Sequence, residues 1–129
     1  MAILVVRLGT PRRPDEGLRI GTVRRPPRGV PKAEFARRNF YDVWLPILAP
    51  ASATVTAALE ARTDAEWTRF AKAYRREMRG SDQQATLKLL AALSLQTDFS
   101  VGCYCAEESR CHRSILRAIL AELGAAVKP

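Results

Sequence analysis

The chain has one histidine and three cysteines among its 129 residues. An odd cysteine count, gathered in one short segment, excludes a secreted disulfide framework. Long hydrophobic runs are missing as well. Ile3-Leu4-Val5-Val6 stops at Arg7, too short for a secretory h-region or a membrane helix. No other charge-free window reaches the roughly 20 residues a membrane helix needs. No internal repeat or linker breaks the chain, so a single domain over residues 1–129 is expected, with the cytoplasm as its compartment and no membrane partner. Acidic residues are also in deficit, with 13 Asp and Glu against 21 Lys and Arg, for a net charge of +8.

That charge is unevenly placed. Residues 1–38 carry ten basic and three acidic residues (+7), and residues 39–129 carry eleven and ten (+1). A basic first third suits a phosphate, a nucleic acid or another anion, although a merely solvated surface would look the same. A hydrophobic fraction of 47% and a charged fraction of 26% are globular values, which excludes global disorder.

Three segments read as strands: Ile3–Leu8, Leu18–Arg24 and Phe99–Cys105. In the second, Leu18, Ile20 and Thr22 share one side; Arg19, Gly21 and Val23 share the other. Pro26, Pro27 and Pro31 exclude helix or central strand from the basic loop that follows. Phe40–Leu45 fits either a helix or a strand. Ser52–Ala61 reads as a short helix. A second helix begins at Thr63, where Glu66 completes a capping box, and it buries Trp67, Phe70, Tyr74 and Met78. A third carries Leu87 and Leu90. A fourth runs from Cys111 to Leu123, closed by Gly124.

All three cysteines and the histidine lie between Cys103 and His112. Cys103 and Cys105, two apart, share a side if the strand continues through them. Cys111 and His112 stand at a helix start, where free N–H groups favour a thiolate, and Arg113 adds a planar donor fork. These residues support three readings. One is a nucleophilic thiol with His112 as proton partner. Another is a zinc site formed by the three cysteines and His112, against which stand the unusual C-x-C-x5-C-H spacing and the strain of adjacent ligands. In the third, the cysteines are small buried hydrophobes.

Two stretches resemble the domain-of-unknown-function family 488, including its small YeaO-like bacterial branch. One is Thr22 through Lys32, similar to the family's strand end and Pro-Arg-Gly loop, with Trp44, Leu48-Ala49-Pro50 and Ser52 as further matches. The other is Cys103 with Cys111-His112-Arg113. Two positions depart from the pattern: Thr22 and Val23 stand where relatives carry an acid, and Cys105 stands where many carry Glu. The resemblance implies an α/β fold and no defined activity. It also implies that the loops after the second and last strands meet.

The expected architecture is therefore a three-layer α/β domain with a small, mainly parallel sheet of about three strands flanked by helices. The expected function is an enzyme acting on an anionic, phosphate-bearing substrate, a nucleotide or nucleic acid among them. Cys111, His112 and Cys103 form its catalytic set; Arg24, Arg28, Arg113 and Cys105 bind substrate. No metal or other cofactor is expected. Cys111 is expected to be the most reactive thiol, with Cys103 and Cys105 inert on the strand. The alternative is a non-catalytic nucleic-acid-binding module with a structural zinc at the Cys/Cys/Cys/His cluster.

Overall fold

The computed structural model describes residues 1–129. Four strands, β1 (Ile3–Arg7), β2 (Leu18–Gly21), β3 (Val43–Trp44) and β4 (Phe99–Cys103), form one sheet in the order β1-β4-β2-β3. Every pairing is parallel. The helices are α1 (Ser52–Glu60), α2 (Asp64–Glu77), α3 (Ser81–Leu93) and α4 (His112–Glu122). The α/β class and the parallel sheet expected from the sequence are therefore present. The ambiguous Phe40–Leu45 segment supplies the additional edge strand. No helix is long and apolar enough to cross a membrane.

β4 lies inside the sheet, paired with β1 on one side and β2 on the other, and all five of its residues are buried. A strand between two parallel partners must be hidden on both faces. On one face Ile3, Ile20, Phe99 and Val101 pack with Phe70, Tyr74 and Met78 from α2. Leu87 and Leu90 from α3 and Ile115, Leu116, Ile119 and Leu120 from α4 complete this core. The capping box at Thr63 and Glu66 starts α2 as the sequence indicates. Loop segments, with a 3-10 turn at Lys32–Glu34, form the other covering layer in place of the long helices expected there.

That second face holds a buried charge. Arg19 is 0% exposed and Glu16 1% exposed. The Arg19 guanidinium donates to both Glu16 carboxylate oxygens at 2.6 and 2.8 Å, and to the carbonyls of Thr10 and Asn39 at 2.9 and 2.7 Å. Ser100 of β4 donates its hydroxyl to Glu16 at 2.7 Å. Burial alone pushes the Glu16 carboxyl up, but the hydrogen bonds from Arg19, Ser100 and the Arg13 amide outweigh it and hold the group below its ordinary range.

All three expected strands end earlier, at Arg7, Gly21 and Cys103, and the cause is the sheet. The Leu8 amide takes the Cys103 carbonyl at 2.9 Å and the Thr22 amide takes the Gly102 carbonyl at 3.0 Å. Beyond them β1 turns at Gly9, in the left-handed region at φ 92°. β4 then has no partner, so Tyr104 and Cys105 leave the sheet. β2 stops at Gly21, where a Cβ would lie 2.3 Å from the Tyr41 ring.

Removing one member of the buried pair strands the other. Glu16→Gln or Arg19→Met is expected to cost about 3–5 kcal/mol in urea unfolding, and Glu16→Leu/Arg19→Met to recover much of it. Because the folded carboxyl is held low, its contribution is complete above the unfolded value and is lost as pH falls through the folded one. The acid destabilisation of the wild type should therefore shrink in the double variant.

Candidate active site

Parallel pairing of β2 with β4 puts the ends of both strands on one edge, so the loops after Gly21 and Cys103 are neighbours. Their contact is direct: the Tyr104 hydroxyl donates to the Arg25 carbonyl at 2.8 Å. Cys111 is extended, at φ −129° and ψ 150°, and caps α4; His112 is the first helical residue. This change of backbone lets two adjacent side chains converge, with Cys111 Sγ 3.8 Å from His112 Nδ1. The strain held against adjacent ligands is relieved by that bend.

His112 is fixed from its other side. Its Nε2 lies 2.7 Å from the Thr22 carbonyl oxygen and 3.4 Å from the Thr22 hydroxyl. A carbonyl only accepts, so Nε2 carries the hydrogen and Nδ1 is left to face the Cys111 sulfur. The Tyr74 ring packs edge-on at 5.4 Å. Thr22 thus holds the imidazole by its main chain.

The sulfurs form a second cluster inside a small apolar shell. Cys103 and Cys111 are buried with Leu8, Val23 and Tyr41, and Cys105 packs at the margin, partly exposed. The three cysteines are free thiols. The Cys103 thiol donates to Cys105 Sγ at 3.8 Å. Donation from Cys103, joined by Cys111 and the Arg113 charge, draws the Cys105 thiol well below its ordinary range against the effect of burial. Cys103, as donor to both other sulfurs, is pushed far up. Cys111 is drawn down by Cys103 and His112, opposed by Cys105 and burial. Cys105 is thus the partly exposed thiol that its neighbours hold toward the thiolate.

Arg113 is 3% exposed, yet no carboxylate lies within ion-pair distance of it. Its Nη2 donates to the Cys105 carbonyl at 2.7 Å, and its Nε is buried without a partner. The only other orphaned buried side-chain polar atom is the Tyr41 hydroxyl. Both orphans belong to residues around the sulfurs, whereas native interiors leave few polar groups unpaired.

The remaining expected site residues fall in different places. The Arg24 side chain turns away from the thiols and donates to the carbonyls of Pro50 and Ala49 at 3.0 and 3.1 Å. It joins the two stretches of the first resemblance and acts as a clamp on the chain. Arg28 is exposed on the loop, unpaired, as is Arg25. Cys103, Cys105, Cys111, His112 and Arg113 are together; Arg24 is taken up by the Ala49 and Pro50 carbonyls and Arg28 stands exposed, so the expected cationic pocket keeps only Arg113. Tyr41, Tyr104 and the Thr22 carbonyl are additions the sequence did not signal, since backbone acceptors and distant aromatics leave no local pattern.

The exposure of the thiols reverses the expected order. Cys111 is 2% exposed and Cys103 7%, while Cys105 reaches the surface. Limiting alkylation of the native protein, mapped by peptide mass, should label Cys105 first and leave Cys103 and Cys111 protected until unfolding. Arg113→Met should move the onset of Cys105 labelling to higher pH, because the guanidinium charge is one of the influences that hold that thiol low.

A family model described as the active DUF488-N3 subclade matches residues 3–124. No curated protein and no solved structure matches the chain. The chain belongs to the DUF488 family.

Proposed function

We propose that this protein is a thiol-dependent enzyme whose nucleophile is Cys105 and whose substrate is a small molecule carrying an anionic group. The observation that carries the reading is the orphaned buried Nε of Arg113, whose Nη2 holds the carbonyl of Cys105, the one accessible thiol; the Tyr41 hydroxyl is a second orphan in the same apolar shell. A buried guanidinium without a carboxylate is costly unless an anion completes it. A thiolate supplies part of that charge, and a substrate oxyanion supplies the rest. The word active in the subclade's description agrees with this reading.

Each group then has a distinct task. The Cys105 thiolate attacks an electrophilic carbon of the substrate, and an S–C bond forms as the bond to the leaving group breaks, the leaving group departing with that electron pair. Arg113 faces the developing negative charge with a donor that needs no reorientation, the usual source of transition-state stabilisation. Cys103 donates to the attacking sulfur and holds its direction. His112 and Cys111 are positioning residues, because the imidazole touches Cys111 and not Cys105. Arg25 and Arg28, exposed and free of ion pairs, raise the local concentration of an anionic substrate at the loop edge.

Paired reagents test this reading. Uncharged iodoacetamide normally outpaces iodoacetate at a protein thiol; here iodoacetate is expected to be the faster at Cys105, with an advantage that falls with salt. Cys105→Ser should abolish the labelling, and Arg25→Ala/Arg28→Ala should reduce the preference several-fold. Equal rates, or a salt-independent preference, would overturn the anionic substrate. Salt-dependent affinity for long nucleic acid, with a slope of several phosphate contacts and no thiol selectivity, would favour the binding module instead.

A further inference from the structure

We infer that Cys103, Cys111 and His112 form the seat of a thiophilic divalent cation, of the zinc class, with Cys105 as its exposed fourth ligand. The two sulfurs and the imidazole nitrogen lie within 4.8 Å of one another and all three residues are buried. Tetrahedral zinc with bonds of about 2.3 Å to sulfur and about 2.0 Å to nitrogen needs ligand edges of roughly 3.5–3.8 Å. The Cys103–Cys105 and Cys111–His112 separations are both 3.8 Å. Two edges of the ligand set therefore already have the length a tetrahedral cation requires.

The surroundings of the imidazole favour the same use. Metal-bound histidines almost always give their other ring N–H to a carbonyl or carboxylate, which fixes the tautomer. Here Nε2 is held by the Thr22 carbonyl at 2.7 Å, and the free Nδ1 is the atom that faces Cys111. Softness of the ligands selects zinc, cobalt or cadmium over magnesium or calcium. The apolar shell of Leu8, Val23 and Tyr41 excludes competing water. Charge also balances: three thiolates carry one negative charge more than the cation neutralises, and the buried Arg113 beside Cys105 offsets it.

This inference shares the sulfur cluster with the enzyme reading but does not depend on it. Loading binds the cation and expels the protons still held by the thiols, so affinity must fall as pH falls. It also ties up the Cys105 sulfur, which separates a loaded, alkylation-resistant form from an open, reactive one.

The test is titration of the reduced, chelator-treated protein with cobalt(II), then displacement by zinc. One equivalent should bind, with intense tetrahedral d–d bands and a sulfur-to-cobalt charge-transfer band in the near ultraviolet. Cys111→Ser and His112→Gln should each weaken binding at least tenfold. Cys105→Ser should keep stoichiometric binding with a weaker charge-transfer band. Proton release on loading, and loss of iodoacetamide labelling at Cys105, are independent readouts. Should either buried-ligand variant fail to fold by circular dichroism, the wild-type bands still decide. Absent tetrahedral bands, binding beyond one equivalent without saturation, or binding unchanged in a folded Cys111→Ser protein would overturn the site. None of these failures alters the alkylation order that the enzyme reading requires.

Discussion

The fold is organised around the Arg19 guanidinium. It is fully buried at the start of β2, and its donors reach three separate stretches of chain. Through Thr10 it fixes the exit from β1; through Asn39 it fixes the approach to β3; through Glu16 and Ser100 it ties the loop before β2 to the central strand. Asn39 stands in the left-handed region at φ 64°, a conformation asparagine tolerates better than most residues. A charge placed there has no weak alternative: it is either completely paired or strongly destabilising. The loops on this face are consequently held in one arrangement without a covering helix.

The candidate site follows from the same geometry. Once β1 and β2 both pair with β4 in parallel, every strand delivers its following loop to one edge, the usual place for ligands in open α/β sheets. Gly102 allows the close approach this requires, since a Cβ there would meet Leu8 at 2.6 Å. Its carbonyl takes both the amide and the hydroxyl of Thr22. Thr22 is therefore held against β4, and its own carbonyl is aimed at His112. A short chain of hydrogen bonds thus runs from the central strand to the imidazole that faces the sulfurs.

The two chemical uses proposed for the cluster draw on one electrostatic fact. Cys103 is held toward its thiol, while Arg113 and the neighbouring thiols hold the partly exposed Cys105 toward its thiolate. An open cluster presents that sulfur to an electrophile. A cation drawn into the cluster takes the same electrons. Occupancy by metal and reactivity toward substrate are then opposite states of one set of side chains.

Much of this was legible in the residues themselves. The capping box at Thr63, the apolar periodicity of α2 and α4 and the β-branched runs of β1 and β4 are local signals, because each element's own neighbours enforce them. The cysteines, His112 and Arg113 stood out for the same reason, being adjacent in the chain. Other features had no local trace. Arg19 and Glu16 look like ordinary surface charges until the sheet buries them, and their meaning depends on Ser100, far away in sequence. The sequence ranked Cys111 first from its place at a helix start, but whether Cys105 lies on the strand depends on where β1 turns and β4 loses its partner. Arg24 looked like an anion clamp but finds the Ala49 and Pro50 carbonyls, which only the folded chain brings near. Residue chemistry and short-range pattern are written in the sequence; burial, pairing and exposure belong to contacts between distant segments, and these decided which sulfur meets solvent and which charge is left without a partner.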